Sequence, residues 1–218
     1  MNKLLYKRFT TIILVITLLL QISLMSSCNR RYDEDEVISA TKILLKDAEK
    51  LNVIYYGEGI RWQEDGNQKG SYKRAQQSHL DELGFHTLEE LKELTEKTFS
   101  DKYSSVIYST IMSALMSDGK PVSLARYYQM KDTTTGEFVF MVNSNFSPLM
   151  TGTVKYDYES IIVTHSKKEK VFAKVTATVT NKEGKSQNKE IVITLIEEKD
   201  GWRIDNPIYA NYSIENES

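Results

Sequence analysis

Cysteine occurs once in this 218-residue chain, as Cys28, and proline only three times. A single cysteine excludes an intramolecular disulfide and any paired CxxC metal or redox motif. So little proline leaves no room for a proline-rich linker, and no low-complexity segment or internal repeat is present. Histidine is also scarce, at three residues (His79, His86, His165). None stands at metal-ligand spacing from another histidine or the cysteine, and HExxH and EF-hand patterns are missing. There is no glycine-rich phosphate loop and no GxSxG, so no nucleophile is marked out. Basic residues are not in excess: the formal net charge is −2. That argues against nucleic acid as a partner and against a polybasic membrane patch.

Long apolar runs are equally rare. The one in the chain is "TIILVITLLL", Thr11 to Leu20, preceded by Lys3, Lys7 and Arg8 and followed by Ser26, Ser27 and Cys28. Positive, apolar, small, then a cleavage point is the order of a secretory signal peptide. The run is shorter than the roughly 18 to 20 residues of a spanning helix. "LMSSC" resembles the bacterial lipobox, with Met25 where leucine is usual. The expectation is a signal over residues 1–27 and a mature chain whose Cys28 carries diacylglycerol and an acylated amino group, enough chains for stable anchoring. Since the signal holds basic residues and no acidic ones, the mature chain is more acidic than the whole. Its expected place is outside the cytoplasm, lipid-anchored to a bacterial cell membrane. A catalytic Cys/His pair is excluded once Cys28 carries lipid.

Residues 28–36, ending in "NRRYDEDE", read as a charged tether, and residues 37–218 as a single α+β domain. Val37, Ile38, Thr41, Leu44, Leu45, Ala48 and Leu51 fall on one face of a helix that runs to about Tyr56 and stops at Gly57 or Gly59. "QEDGNQKGS" is a turn-rich loop. Thr87 and Glu90 form a capping box that opens a second helix with Leu88, Leu91 and Leu94. Ser100 or Asp101 caps a third, with Tyr103, Val106, Ile107, Thr110, Ile111 and Leu115 on one side, broken at "SDGKP".

After Pro121 the period changes to two. "VSLARYYQMKD", "EFVFMVN", "TVKYDYESIIVTHS", "KVFAKVTATVTN", "KEIVITLIEE" and "GWRIDNP" read as successive strands. In "VFAKVTATV" the face Val171, Ala173, Val175, Ala177, Val179 opposes Phe172, Lys174, Thr176, Thr178, the pattern of an antiparallel sheet buried on one side. "NKEGKSQ" and "EKDG" are hairpin connections. The expected architecture has N-terminal helices packed on one face of a curved antiparallel sheet, cystatin-like or nuclear-transport-factor-two-like.

Tyrosine is abundant, 13 residues against 7 phenylalanines and 2 tryptophans. Tyr55, Tyr56, Tyr127 and Tyr128 stand in pairs, and Tyr156 and Tyr158 alternate. Such residues suit half-buried strand surfaces; they also suit an aromatic groove for a peptide, glycan or protein loop. Leu149 and Met150, in "SPLMTG", are either an apolar interaction tip or a segment folded back on the sheet. Trp202 alternates with Ile204 and reads as core. Glu89, Glu90, Glu93 and Glu96 share a helix with Lys92 and Lys97 and read as a solvated face. No catalytic residue, cofactor or metal is expected.

"YYGEGI" at the end of the first helix, "LTEKTFSDKY" (Leu94 to Tyr103) and the closing "DGWRIDNP" (Asp200 to Pro207) together resemble the IseA-type inhibitors of cell-wall DL-endopeptidases and their lipoprotein relatives, over about residues 37 to 212. The resemblance implies an extracytoplasmic, non-enzymatic module that binds a protein, such as an NlpC/P60-type endopeptidase or another envelope protein, and covers its cleft. It carries over no residue set. Two other readings stand beside it. One is a small-molecule-binding or enzymatic domain of the nuclear-transport-factor-two-like kind. The other is a structural envelope lipoprotein.

Overall fold

The first helix begins where the acidic run does. In the computed structural model, α1 spans Glu34–Tyr55, with Glu34, Asp35 and Glu36 in its first turn. Carboxylates there face the positive end of the helix dipole. Three residues that the sequence pattern leaves in the tether are therefore helical. The structure describes residues 32–64, 70–113, 115–117, 120–123, 125–150 and 152–208. Cys28, the signal and most of the tether lie outside them. The chain divides into Met1–Asp33 and Glu34–Ser218, and every helix and strand named in the fold belongs to the second unit. Among the described residues, no helix is long and apolar enough to cross a membrane.

The buried face of α1 is the expected one except at Ile38, which is half-buried: Val37, Thr41, Leu44, Leu45, Ala48 and Leu51 are buried. Thr41 enters the core because its hydroxyl donates to Val37 O at 2.7 Å, which removes the cost of burying it. After the short strand β1 (Tyr72–Arg74) comes α2 (Gln77–Leu83), which the sequence pattern does not reveal. The capping box then opens α3 (Leu88–Thr98): Thr87 accepts from Glu90 N, and the Glu90 carboxylate accepts from the Thr87 N–H. Phe99 ends α3, and the Ser100 side chain caps α4 (Asp101–Ile107) by accepting from Tyr103 N.

The third helix departs from expectation. It loosens to a π turn over Tyr108–Met112, and Leu115 belongs instead to a strand. That strand, β2 (Leu115–Ser117), forms a hairpin with β3 (Lys120–Ser123). The segment expected as one strand from Val122 is thus two, β3 and then β4 (Tyr127–Lys131), separated at Arg126. β5 (Phe138–Asn143) is followed by β6 (Thr153–Lys167), β7 (Lys170–Thr180), β8 (Ser186–Glu198) and β9 (Gly201–Ile204).

The architecture is α+β with antiparallel sheets, but the strands do not form one sheet. β1-β5-β4 make a three-stranded sheet, and β6-β7-β8-β9 a four-stranded one. The split follows from pairing: β5 takes β1 and β4 as its neighbours and is buried from Val139 to Asn143. It therefore has no free edge for β6. In the four-stranded sheet Val171, Ala173, Val175, Ala177 and Val179 are buried as the alternation requires. Ile191, Ile193 and Leu195 of β8 and Trp202 and Ile204 of β9 complete that apolar face. α1 lies against β6 and β9. Each fully buried Leu or Ile in this layer contributes about 2 kcal/mol by removal from water.

Both margins of the larger sheet are engaged. On β6, the Glu49 carboxylate of α1 accepts from Tyr156 N at 3.0 Å and from the Tyr158 hydroxyl at 2.8 Å. On β9, Ile204 O accepts from Ser100 N at 2.9 Å, and Phe99 bridges Ile204 in parallel.

Candidate functional site

Tyr55, Tyr56, Tyr127 and the backbone of the apolar loop singled out in the sequence converge at the end of α1, with the three rings on the inside. Helix α1 ends with backbone carbonyls that have no partner within the helix. Arg126 supplies two. Its Nη1 donates to Tyr55 O at 2.7 Å and its Nη2 to Gly57 O at 2.6 Å. The Tyr127 hydroxyl donates to Ile54 O at 2.5 Å. The N–H groups of Leu149 and Met150 both donate to Tyr56 O at 2.7 Å. Tyr55, Tyr56 and Tyr127 are buried; Tyr128 and Met150 are half-buried; Leu149 is exposed. The SPLM loop folds back to close the helix end, and the three buried rings do not line a surface groove as they stand.

Arg126 is itself 2 % exposed. Its guanidinium stacks 4.4 Å from the Phe146 ring centre and 5.5 Å from that of Tyr127. Burial pulls its pKa below the ordinary value, while Tyr127 and Glu58 work the other way. Burial also pushes the Tyr127 phenol up to about 12, against the pull of Arg126. It therefore stays a hydrogen-bond donor at any ordinary pH. The Tyr55 hydroxyl, raised by burial as well, shares a 2.7 Å hydrogen bond with Thr95.

The closing "DGWRIDNP" is a second junction. Trp202 is buried, as expected, and its Nε1 donates to Glu36 at the start of α1, 3.1 Å away. Arg203 Nε donates to Glu96 O at 2.7 Å, near the end of α3. Asp205 accepts from Ser100 Oγ at 2.6 Å and pairs with Lys170. Asn206 continues the β8 ladder through Thr194 N and Val192 O. Two of the three motifs that carry the family resemblance thus act here as fasteners of the fold.

One expectation can be tested on Asp205 directly. Burial raises its pKa, but the hydrogen bonds from Lys170 and Ser100 and the Lys170 charge more than offset this, and the net shift is downward. A depressed carboxylate stabilises the fold above its unfolded pKa, and that contribution is lost as pH falls through the lower, folded value. Asp205→Asn is therefore expected to cost about 1 to 3 kcal/mol at neutral pH. The gap from the parent should close below about pH 4. Urea unfolding at a series of pH values checks this, and a gap that widens in acid would contradict it.

At the surface, the same junction shapes an open cleft of about 510 Å³. Its walls are Glu93, Glu96 and Lys97 of α3, Asp101 of α4, Glu198, Lys199 and Asp200 at the β8–β9 turn, and Arg203. Every lining residue is charged: five carboxylates and three cations. The walls are pinned to one another. Asp101 N donates to Glu198 Oε1 at 3.1 Å, and Arg203 clasps α3. The Tyr108 hydroxyl donates to Glu96 at 3.0 Å, and burial with that carboxylate raises its pKa. Lys97 lies 3.9 Å from Glu93. A site of this kind exchanges ion pairs and hydrogen bonds with a charged surface.

The sequence pattern presents the α3 glutamates as a solvated face and does not assemble this cleft. No periodicity joins residues about a hundred positions apart; the link is the Phe99–Ile204 bridge. Among the described residues, no group of three or more His, Cys, Asp or Glu could hold a metal ion. No protein-family model, curated protein or solved structure was found to match the chain.

Proposed function

We propose that this chain is a lipid-anchored extracytoplasmic module of a bacterial envelope that binds a protein partner rather than catalysing a reaction. The charged cleft is the observation that carries the reading. It is open, its walls are held by backbone hydrogen bonds, and its lining offers both signs of charge, features that suit recognition of a protein surface. The Cys28 lipobox supports a membrane setting for that binding. The finer kinship, to cystatin-like or nuclear-transport-factor-two-like domains, rests on a long N-terminal helix laid against a four-stranded antiparallel sheet that closes with Gly201-Trp202-Arg203.

A cell-wall endopeptidase of the NlpC/P60 type is the partner to test first. Adding the protein to such an enzyme digesting purified walls should slow the digestion. Full-rate digestion with no complex on size exclusion counts against the partner. Anchoring is tested separately: Cys28→Ala is expected to move the protein from the membrane fraction to the soluble one, or to leave its signal uncut. Unchanged partitioning together with unchanged mature mass refutes lipidation.

A further inference from the structure

We propose that the charged cleft receives a lysine or arginine side chain from a protein held at the same membrane surface, within reach of the tether. The proposal rests on the reading of Cys28 as the lipid attachment point and of the cleft as the binding site.

The first ground is charge. Carboxylates outnumber cations five to three among the lining residues; Arg203 keeps its charge but is held in place by donating through Nε to Glu96 O and through Nη1 to Trp202 O. Lys97 faces Glu93, which leaves Lys199 as the cation not engaged with a described residue. A cationic side chain entering between Glu93, Asp101 and Asp200 meets more carboxylate than a lysine on the rim can balance. An anionic lipid headgroup meets repulsion in the same place.

The second ground is reach. Only five residues, 29 to 33, separate Cys28 from the first residue of α1. At no more than about 3.6 Å per residue, Glu34 is held within roughly 20 Å of the attachment point. The Trp202–Glu36 hydrogen bond sets β9 beside that same end of α1, and Arg203, the next residue, is part of the cleft wall. The cleft therefore lies on the side of the domain where α1 begins and the tether joins it. Partners far out in a cell wall are beyond it. Partners confined to the membrane surface gain instead from a raised effective concentration.

The test uses the lipidated protein in phosphatidylcholine vesicles. The probes are an acylated Arg-Gly-Arg-Gly peptide inserted in the same vesicles, the same peptide without its acyl chain, and a Glu-Gly-Glu-Gly control. The arginine peptides should bind and the control should not, with affinity falling as salt rises. Glu93→Gln combined with Asp200→Asn should weaken binding on the order of ten-fold. Lys199→Glu should strengthen it, a gain that a misfolded variant cannot give. Inserting about 20 Gly/Ser residues after Asn29 should weaken binding of the acylated peptide alone. Equal binding of the control, or indifference to all the cleft substitutions, overturns the charge assignment. Indifference to the insertion overturns the reach. Because the free peptide needs neither lipid nor hydrolase, its result stands even if lipidation or the endopeptidase partner fails.

Discussion

Arg126→Ala is expected to lower the stability of the folded chain by about 3 to 4 kcal/mol, a fall in Tm of roughly 10 °C for a chain of this size. The cause is local. Tyr55 O and Gly57 O both lose their donor, and a buried carbonyl left without a partner costs about 1 to 3 kcal/mol. The Phe146 and Tyr127 rings also lose the flat cation packed against them. Relief of the desolvated charge recovers part of this, which is why the figure is not larger. Arg126→Lys is expected to recover less than half of the loss, because an ammonium cannot present the planar fork that spans two carbonyls. Urea unfolding of the parent and both variants measures this. A loss under about 1 kcal/mol for the alanine variant would mean that water or a rearranged loop caps α1 equally well.

Gly59→Ala acts on the same junction from the other side. Gly59 has φ +78°, where an L side chain is strained, and a Cβ there would stand 2.7 Å from Tyr127 Oη and closer still to Arg126 Nη2. The conformational part costs about 1 kcal/mol, and the overlap forces two buried donors off their acceptors. The expected total is about 2 to 3 kcal/mol. The two substitutions should not add. With Arg126 already alanine the nearest obstruction is gone, so Gly59→Ala should cost on the order of 1 kcal/mol less in that background. Strict additivity in the double-mutant cycle would show that the overlap with Arg126 costs nothing, leaving the backbone angle and the approach of Tyr127 as the reasons for the glycine.

Some of this fold is legible in the sequence. The α1 stripe, the Thr87–Glu90 box and the alternation of β7 are local patterns, and they appear where the periodicity puts them. The split into separate sheets is decided by which strand takes the edges of β5. One of those strands, β1, is three residues long and pairs with Arg74 against Met141, a partner no short window contains. The tyrosine pairs stand open between packing and a groove, because a phenol satisfies either. What decides for Tyr55 and Tyr127 is the set of acceptors and donors around them: Thr95 for one, Ile54 O for the other. The cleft is hidden from the sequence for the same reason. Glu93 and Asp200 each look like ordinary surface charge until Ser100 hydrogen-bonds to Ile204 and brings their segments together.

Glu49 has a consequence for how copies of this protein can crowd. An exposed strand margin is a template on which another chain can lay a strand of its own. Here the carboxylate of a helix occupies the donor at Tyr156 on one margin, and the Phe99–Ser100 segment occupies the other. Lateral growth across Tyr156 would first have to evict a side chain held by two hydrogen bonds. A margin occupied in this way is a poorer template for such growth than a bare one.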